Sequence, residues 1–255
     1  MASTVLAVIL LTTSSALRDP LARVVWEKYR MAPVAGFLNL HDANLAIALG
    51  NYYFNGGAYN LPAAIRWYQA TIAISPKIYF THYQLGRIYF VQGKFQDALD
   101  ELNTTIELRP DFGKAYYMRG LTRSYHGNLD GAEEDFKHMI SLGNLGETGW
   151  AAYNDLSFVQ FRKGSFMDMV ATAETGLREY SDNPWLLNSY GLALLNTDKN
   201  REAKYSLIKA LDEARGLTTE QVQKAYPGND PATANDRKTK IITAIEYNLS
   251  LAEEE

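Results

Sequence analysis

Histidine, carboxylate and cysteine are the side chains from which an active site would be built, and their placement in this chain supports none. The four histidines, His41, His82, His126 and His138, form no HExxH and no pair at metal-ligand spacing, so each reads as structural. Cysteine is absent, which removes disulfides, thiolate metal sites and a thiol nucleophile while leaving the compartment open. No Gly-rich loop is followed by Lys and Ser or Thr, and no GxGxxG follows a strand, so nothing cradles a nucleotide phosphate. The acidic clusters Glu133 to Asp135 and Glu253 to Glu255 read as solvated helix faces rather than paired catalytic acids. The expectation is a non-enzyme, with no catalytic, cofactor-binding or metal residue.

The elements that carry these side chains recur. Aligned with itself, the sequence gives five registers of about 34 residues, at 43–78, 79–112, 113–146, 150–183 and 184–217. The second is the clearest, with His82, Leu85, Gly86, Tyr89, Gly93, Phe95, Ala98, Leu102, Thr105, Leu108 and Pro110. Small residues recur at Gly50, Gly86, Gly120, Ser157 and Gly191, where one helix must approach another closely. Seven residues on, Gly57, Gly93, Gly127 and Gly164 suit a turn out of that helix. In a second helix, Ala64, Ala98, Ala132 and Ala203 stand four residues before Tyr68, Leu102, Phe136 and Leu207, which puts both on one face. Pro76 and Pro110 then stop the helix.

This pattern resembles the tetratricopeptide repeat, two antiparallel helices per unit. The resemblance implies an all-α, right-handed α-solenoid of about five helix pairs, with cap helices at both ends. Departures are local: two extra residues around Asn60, Leu61 and Pro62, a Gly-rich junction at Gly143, Asn144 and Gly146 before the inserted Glu147 to Gly149, Met169 at the alanine position, and Asp198, Lys199 and Asn200 in place of a glycine turn. The junction predicts a bend or wider gap in the stack. Residues 218–255 read as a loop with a short helix, punctuated by Pro227, Gly228 and Pro231, then a capping helix from Asp236 to Ala252.

In the tetratricopeptide family the first helices line a concave surface that binds extended peptides or helices. Carried over register by register, that surface comprises Asn51, Phe54 and Asn55; Tyr83, Arg87 and Phe90; Lys114, Tyr117, Leu121 and Tyr125; Asn154, Phe158, Phe161 and Arg162; and Asn188, Leu192 and Asn196. Aromatic rings can bury a ligand's side chains and asparagine amides can pair with its backbone, so the expected function is a non-catalytic scaffold for a protein or peptide segment. The alternative is a structural subunit of a membrane-associated or envelope assembly, with the groove filled by its own neighbour; an oligomer fits that case.

Some members grip acidic chaperone tails with a clamp of lysines, asparagines and an arginine. Asn51 and Lys114 match it, but Ile47, Gln84 and Met118 stand where a lysine, an asparagine and an arginine are needed, which argues against that ligand. Arg119 and Arg123 take places held by Leu85 and Tyr89 one register earlier, and Glu133, Glu134 or Asp135 is expected to pair with them as structure rather than as an anion site. With a net charge of -4, nucleic acid is not expected as a partner.

Ahead of the repeats, residues 2–17 carry no charge and Val5 to Leu11 is an apolar run of signal-peptide length. Sixteen helical residues reach roughly 24 Å, short of the ~30 Å hydrocarbon core. Two interpretations stay open: a signal or anchor stub over 1–17 flanked by Arg18, Arg23, Lys28 and Arg30, and an apolar cap helix. The first favours a membrane-anchored or extracytoplasmic setting over a cytoplasmic one. Within 18–42, Asp19 and Pro20 predict the start of a helix that runs through about Arg30, with Pro33 and Gly36 stopping it. The sequons at Asn103 and Asn248 fall in predicted helices and read as coincidence.

Overall fold

The computed structural model describes residues 15–38, 41–55, 59–143, 145–146, 149–225 and 237–253. The Val5 to Leu11 run, Gly57, Asn144, Glu147, Thr148, Pro227, Gly228, Pro231, Glu254 and Glu255 lie outside them. Every regular element among the described residues is a helix, giving the all-α, helix-pair architecture of a solenoid with terminal cap helices. The chain divides into two compact units, Met1–Ile88 and Tyr89–Glu255.

Unit 1 holds α1 (Ser15–Tyr29), α2 (Ala32–Leu38), α3 (Ala43–Phe54), α4 (Leu61–Ile74) and most of α5 (Tyr79–Val91). Its apolar core joins Ala22, Ala35, Leu38, Leu45, Leu49 and Trp67, so the helices before the repeats share a core with the first helix pair. The sequence places a helix start at Asp19 and Pro20, yet Pro20 lies inside α1. The Asp19 carboxylate is engaged elsewhere, accepting from the backbone N–H of His41 at 3.1 Å. The helix stops at Tyr29, as expected close to Arg30, whose φ of 53° is left-handed, but Pro33 and Gly36 belong to α2 and do not bring about that stop. Proline fits the first turn of α2 because the N–H it lacks has no acceptor there. Asp42 caps α3 by accepting from the N–H of Leu45, and Asn60 caps α4 by accepting from that of Ala63, with Pro62 in the first turn.

Unit 2 continues with α6 (Phe95–Leu108), α7 (Gly113–Tyr125), α8 (Leu129–Ser141), α9 (Trp150–Lys163), α10 (Phe166–Glu179), α11 (Pro184–Leu195) and α12 (Asn200–Gly216). The short α13 (Thr219–Lys224) and the C-terminal α14 (Arg237–Leu251) follow. The helices α7 and α8, α9 and α10, and α11 and α12 pack as pairs, as α3 and α4 do in unit 1.

In the pairs α3–α4, α7–α8 and α11–α12 a large side chain on the second helix is seated against a glycine on the first. A Cβ added to Gly120 would lie 2.9 Å from the Phe136 ring, and one on Gly50 only 2.6 Å from that of Tyr68. Tyr68 and Phe136 have no exposed surface. Burying a large aromatic side chain is worth about 1.5–3 kcal/mol, so these contacts are principal fastenings of the pairs.

Four of the first helices are followed by a left-handed residue: φ is 71° at Gly93, 92° at Gly127, 72° at Gly164 and 57° at Asp198. At the fifth repeat aspartate thus adopts the conformation that glycine supplies elsewhere. Gly143 and Gly146, at the third junction, are also left-handed. At the C-terminus α13 opens with a capping box of Thr218 and Gln221, and α14 packs on α11 and α12, helped by Arg215–Glu246 and Lys204–Glu253 ion pairs. Among the described residues no helix is long and apolar enough to cross a membrane.

Candidate functional site

In unit 1 two of the predicted groove residues, Asn51 and Arg87, join a polar network with Tyr68 and Gln84. The Asn51 Oδ1 accepts from the Tyr68 hydroxyl at 2.7 Å and from Gln84 Nε2 at 2.9 Å. Gln84 in turn accepts from Arg87 Nη1 at 2.8 Å. The Arg87 guanidinium sits over the rings of Phe54 and Tyr83, 4.7 and 5.8 Å from their centroids. Phe54 and Tyr83 are buried, which leaves them little surface to offer a ligand, and burial raises the pKa of the Tyr68 and Tyr83 hydroxyls. Asn55 is exposed.

Unit 2 is different, because aromatic surface stays open there. Tyr125 is 68% exposed and Phe158 54%. Phe90 meets the Tyr125 ring edge-on at 5.4 Å, and Phe95 supports both rings. Lys114 and Arg162 are exposed and Leu121 is half-buried. Arg162 donates from Nη1 to the carbonyl of Ser124 at 2.9 Å, so this side chain ties the end of α7 to α9.

Several of the other predicted residues are turned into packing. Tyr117 is buried and donates its hydroxyl to Asp155 Oδ2 at 2.7 Å. Half-buried Asn154 donates to Asp155 Oδ1 at 3.2 Å and accepts from the Ser189 hydroxyl at 3.0 Å. Phe161 and Leu192 lie against the core formed by Met169, Val170, Ala193, Leu194 and Ala203. Asn196 donates to the Leu192 carbonyl within its own helix end. Asn188 accepts from Asn248 of α14 at 2.9 Å, so the chain's own C-terminal helix engages the last register.

Two residues were not singled out as groove residues from the sequence. Gln84 is the centre of the unit 1 network, and Asp155 is the centre of the polar contacts in unit 2. Burial pushes the Asp155 carboxyl up to about 6, against the opposing hydrogen bonds from Tyr117 and Asn154. Register could have found it: Gln84, Met118, Asp155 and Ser189 occupy the same place in successive repeats once the insertion at 147–149 is allowed for. At that place Gln84 and Met118 are buried as well as uncharged, so neither can serve a carboxylate clamp.

Arg119 and Arg123 converge on buried Asp135. Arg119 approaches it through Nη2 at 2.7 Å and Nε at 3.0 Å, Arg123 through Nη1 at 2.9 Å. Arg119 also donates to Asn103, and Arg123 to the Gly131 carbonyl. The three charges bind one another as structure. Of the neighbouring acids, Glu133 pairs instead with Lys137 and Lys163. An open cavity of about 650 Å³ between α10, α11 and α12 is lined by Leu177, Leu187, Tyr190, Tyr205 and Lys209, and by none of the predicted groove residues. Among the described residues no three His, Asp or Glu are grouped to hold a metal ion.

A family model described as Tetratricopeptide repeat matches residues 79–112, the stretch that carries α5 and α6. The chain is a tetratricopeptide-repeat protein. DnaJ homolog subfamily C member 3 of Bos taurus is 31% identical over 99 residues, 39% of this chain. That stretch is 19% of the relative, so the tetratricopeptide chain matches about a fifth of its length. Among solved structures, MamA from Desulfovibrio magneticus RS-1 superposes with a TM-score of 0.61 at 15% identity, covering 69% of this chain and 96% of that one. PilW, a widely conserved type IV pilus biogenesis factor, gives 0.60 at 13% identity, covering 83% and 89%. Such identities establish a shared tetratricopeptide fold. That fold suits the binding of a peptide or protein segment, and the chain carries no catalytic motif.

Proposed function

We propose that this chain is a non-catalytic binding subunit that holds a segment of another protein on the exposed side of α7 and α9 in unit 2. The observation that carries this is the exposure of Tyr125 and Phe158 at ligand-facing repeat positions, in company with Phe90, Leu121 and Asn154. Large rings left in water at such positions are what a binding surface presents before its ligand covers them. In unit 1, by contrast, Asn51, Gln84 and Arg87 hydrogen-bond one another. A pull-down or peptide-array screen with wild type and a Y125A/F158A variant, checked by circular dichroism to remain helical, tests this. Loss of a wild-type ligand in the folded variant is expected; retention of every ligand overturns the assignment.

A second function, subunit of a membrane-associated or envelope assembly, is favoured by two observations. The fold is like that of a type IV pilus biogenesis factor, and an uncharged stretch with an apolar run precedes basic residues Arg18, Arg23, Lys28 and Arg30. The two functions are compatible if the bound segment belongs to another subunit, or to a second copy of this chain. Light scattering separates the cases: a defined oligomer in which Tyr125 and Phe158 become protected supports a self-filled groove, and a monomer supports a foreign ligand.

A further inference from the structure

We infer that Asp155 selects the ligand of this surface by pairing with a basic side chain, so that the bound segment is one with lysine or arginine set among apolar residues. This rests on the binding function proposed above. Asp155 belongs to the first helix of the fourth repeat, at the place in the register where Gln84, Met118 and Ser189 stand in other repeats. It keeps part of its surface open to solvent. Its oxygens accept from the neutral donors Tyr117 and Asn154, and no Lys, Arg or His pairs with it among the described residues.

A carboxylate in that position is held at a cost. Hydroxyl and amide donors offset part of the desolvation of its charge, but neither supplies the opposite charge that compensates burial fully. The nearby acids are not in this state: Asp135 has two guanidiniums, Glu133 two ammonium groups. Nor are the cations of the surface directed at it. Arg162 is engaged with the Ser124 carbonyl, and Lys163 with Asp130 and Glu133. A ligand cation therefore meets an acceptor already oriented by Tyr117 and Asn154, while Phe158, one turn along α9, offers an exposed ring to its alkyl stem or its charge. Asn154 is itself fixed by Ser189, so the acceptor is braced from α11 as well as from α7.

The test uses short alanine–leucine peptides, capped at both ends and fluorescently labelled, with lysine, norleucine or glutamate at the centre, titrated against the full chain by anisotropy. Wild type is expected to bind the lysine peptide about tenfold more tightly than the norleucine peptide, the size of one charge-assisted contact, and the glutamate peptide most weakly. Asp155→Asn keeps the volume and an acceptor for Tyr117, and is expected to bind lysine and norleucine peptides alike, with norleucine affinity retained. An unchanged lysine preference in Asp155→Asn, or a wild-type preference for glutamate, overturns the assignment. Equal binding of all three peptides, lost in Phe158→Ala, leaves the binding surface standing and removes Asp155 from its specificity. Absence of binding by any peptide counts against both.

Discussion

The hydroxyl of Tyr117 donates to Oδ2 of Asp155 at 2.7 Å, tying the first helix of the third repeat to the first helix of the fourth. The bond joins a buried phenol to a carboxyl that burial pushes up from 3.8 to about 6. A carboxyl whose folded-state pKa exceeds its unfolded value binds its proton more tightly when folded. Its contribution to stability is therefore present below about pH 4 and is lost as pH rises through 6. A shift of this size corresponds to roughly 1–3 kcal/mol. Asp155→Asn should remove that slope, so its urea midpoint relative to wild type should rise between pH 4.5 and pH 7. Equal pH dependence in the two proteins would contradict the shifted carboxyl.

The Arg119–Asp135–Arg123 cluster predicts a large and asymmetric response. Asp135 is almost wholly buried, and its loss leaves two partly buried guanidiniums facing each other without a counter-charge. Asp135→Ala should cost about 3–5 kcal/mol, the range for breaking a buried pair from one side. Replacing all three residues with apolar ones of similar volume should cost far less, because no charge is then stranded. Chemical denaturation of both variants measures the difference.

At Gly120 two tendencies oppose each other and packing decides. Alanine is the better helix former by about 1 kcal/mol, yet its Cβ would come within 2.9 Å of the Phe136 ring. The ring is fully buried and cannot swing away into solvent. Gly120→Ala should therefore destabilise the chain by about 1–3 kcal/mol, as overpacking does, despite its propensity gain. A stabilised variant would mean that α7 and α8 separate more freely than this contact implies.

The repeat was legible because its two constraints act on residue type: close approach demands glycine, alanine or serine at fixed places, and bulky partners recur opposite them. Gly50 with Tyr68 and Gly120 with Phe136 are that constraint seen from both sides. The helices before the repeats were less legible, because tertiary contacts overrode local signals. Asp19 looks like a cap but bonds to His41 from inside α1, and Pro33 and Gly36, expected to stop a helix, lie within α2. Among the predicted groove residues, register fixed which helix carries each one. It did not show that Phe54 and Tyr117 are buried, since that depends on neighbours such as Arg87 and Asp155, which reach them from other helices, nor that Tyr83 is buried beside Arg87 of its own helix.

Asp198 offers the most direct test of the repeat as a backbone device. It adopts φ of 57° at the place where Gly93, Gly127 and Gly164 adopt 71°, 92° and 72°. Aspartate tolerates this region better than most residues, but its Cβ still crowds the backbone in a way glycine avoids. Asp198 is exposed, and no ion pair of its side chain is seen among the described residues, so little opposes the change. Asp198→Gly should raise stability by about 0.5–1 kcal/mol, the strain outweighing glycine's larger entropy in the unfolded chain, while Asp198→Val should lower it by more than that. Urea titration of the pair, with wild type as reference, checks both signs at once. A loss of stability in Asp198→Gly would mean that the fifth turn is held by the aspartate side chain rather than strained by it.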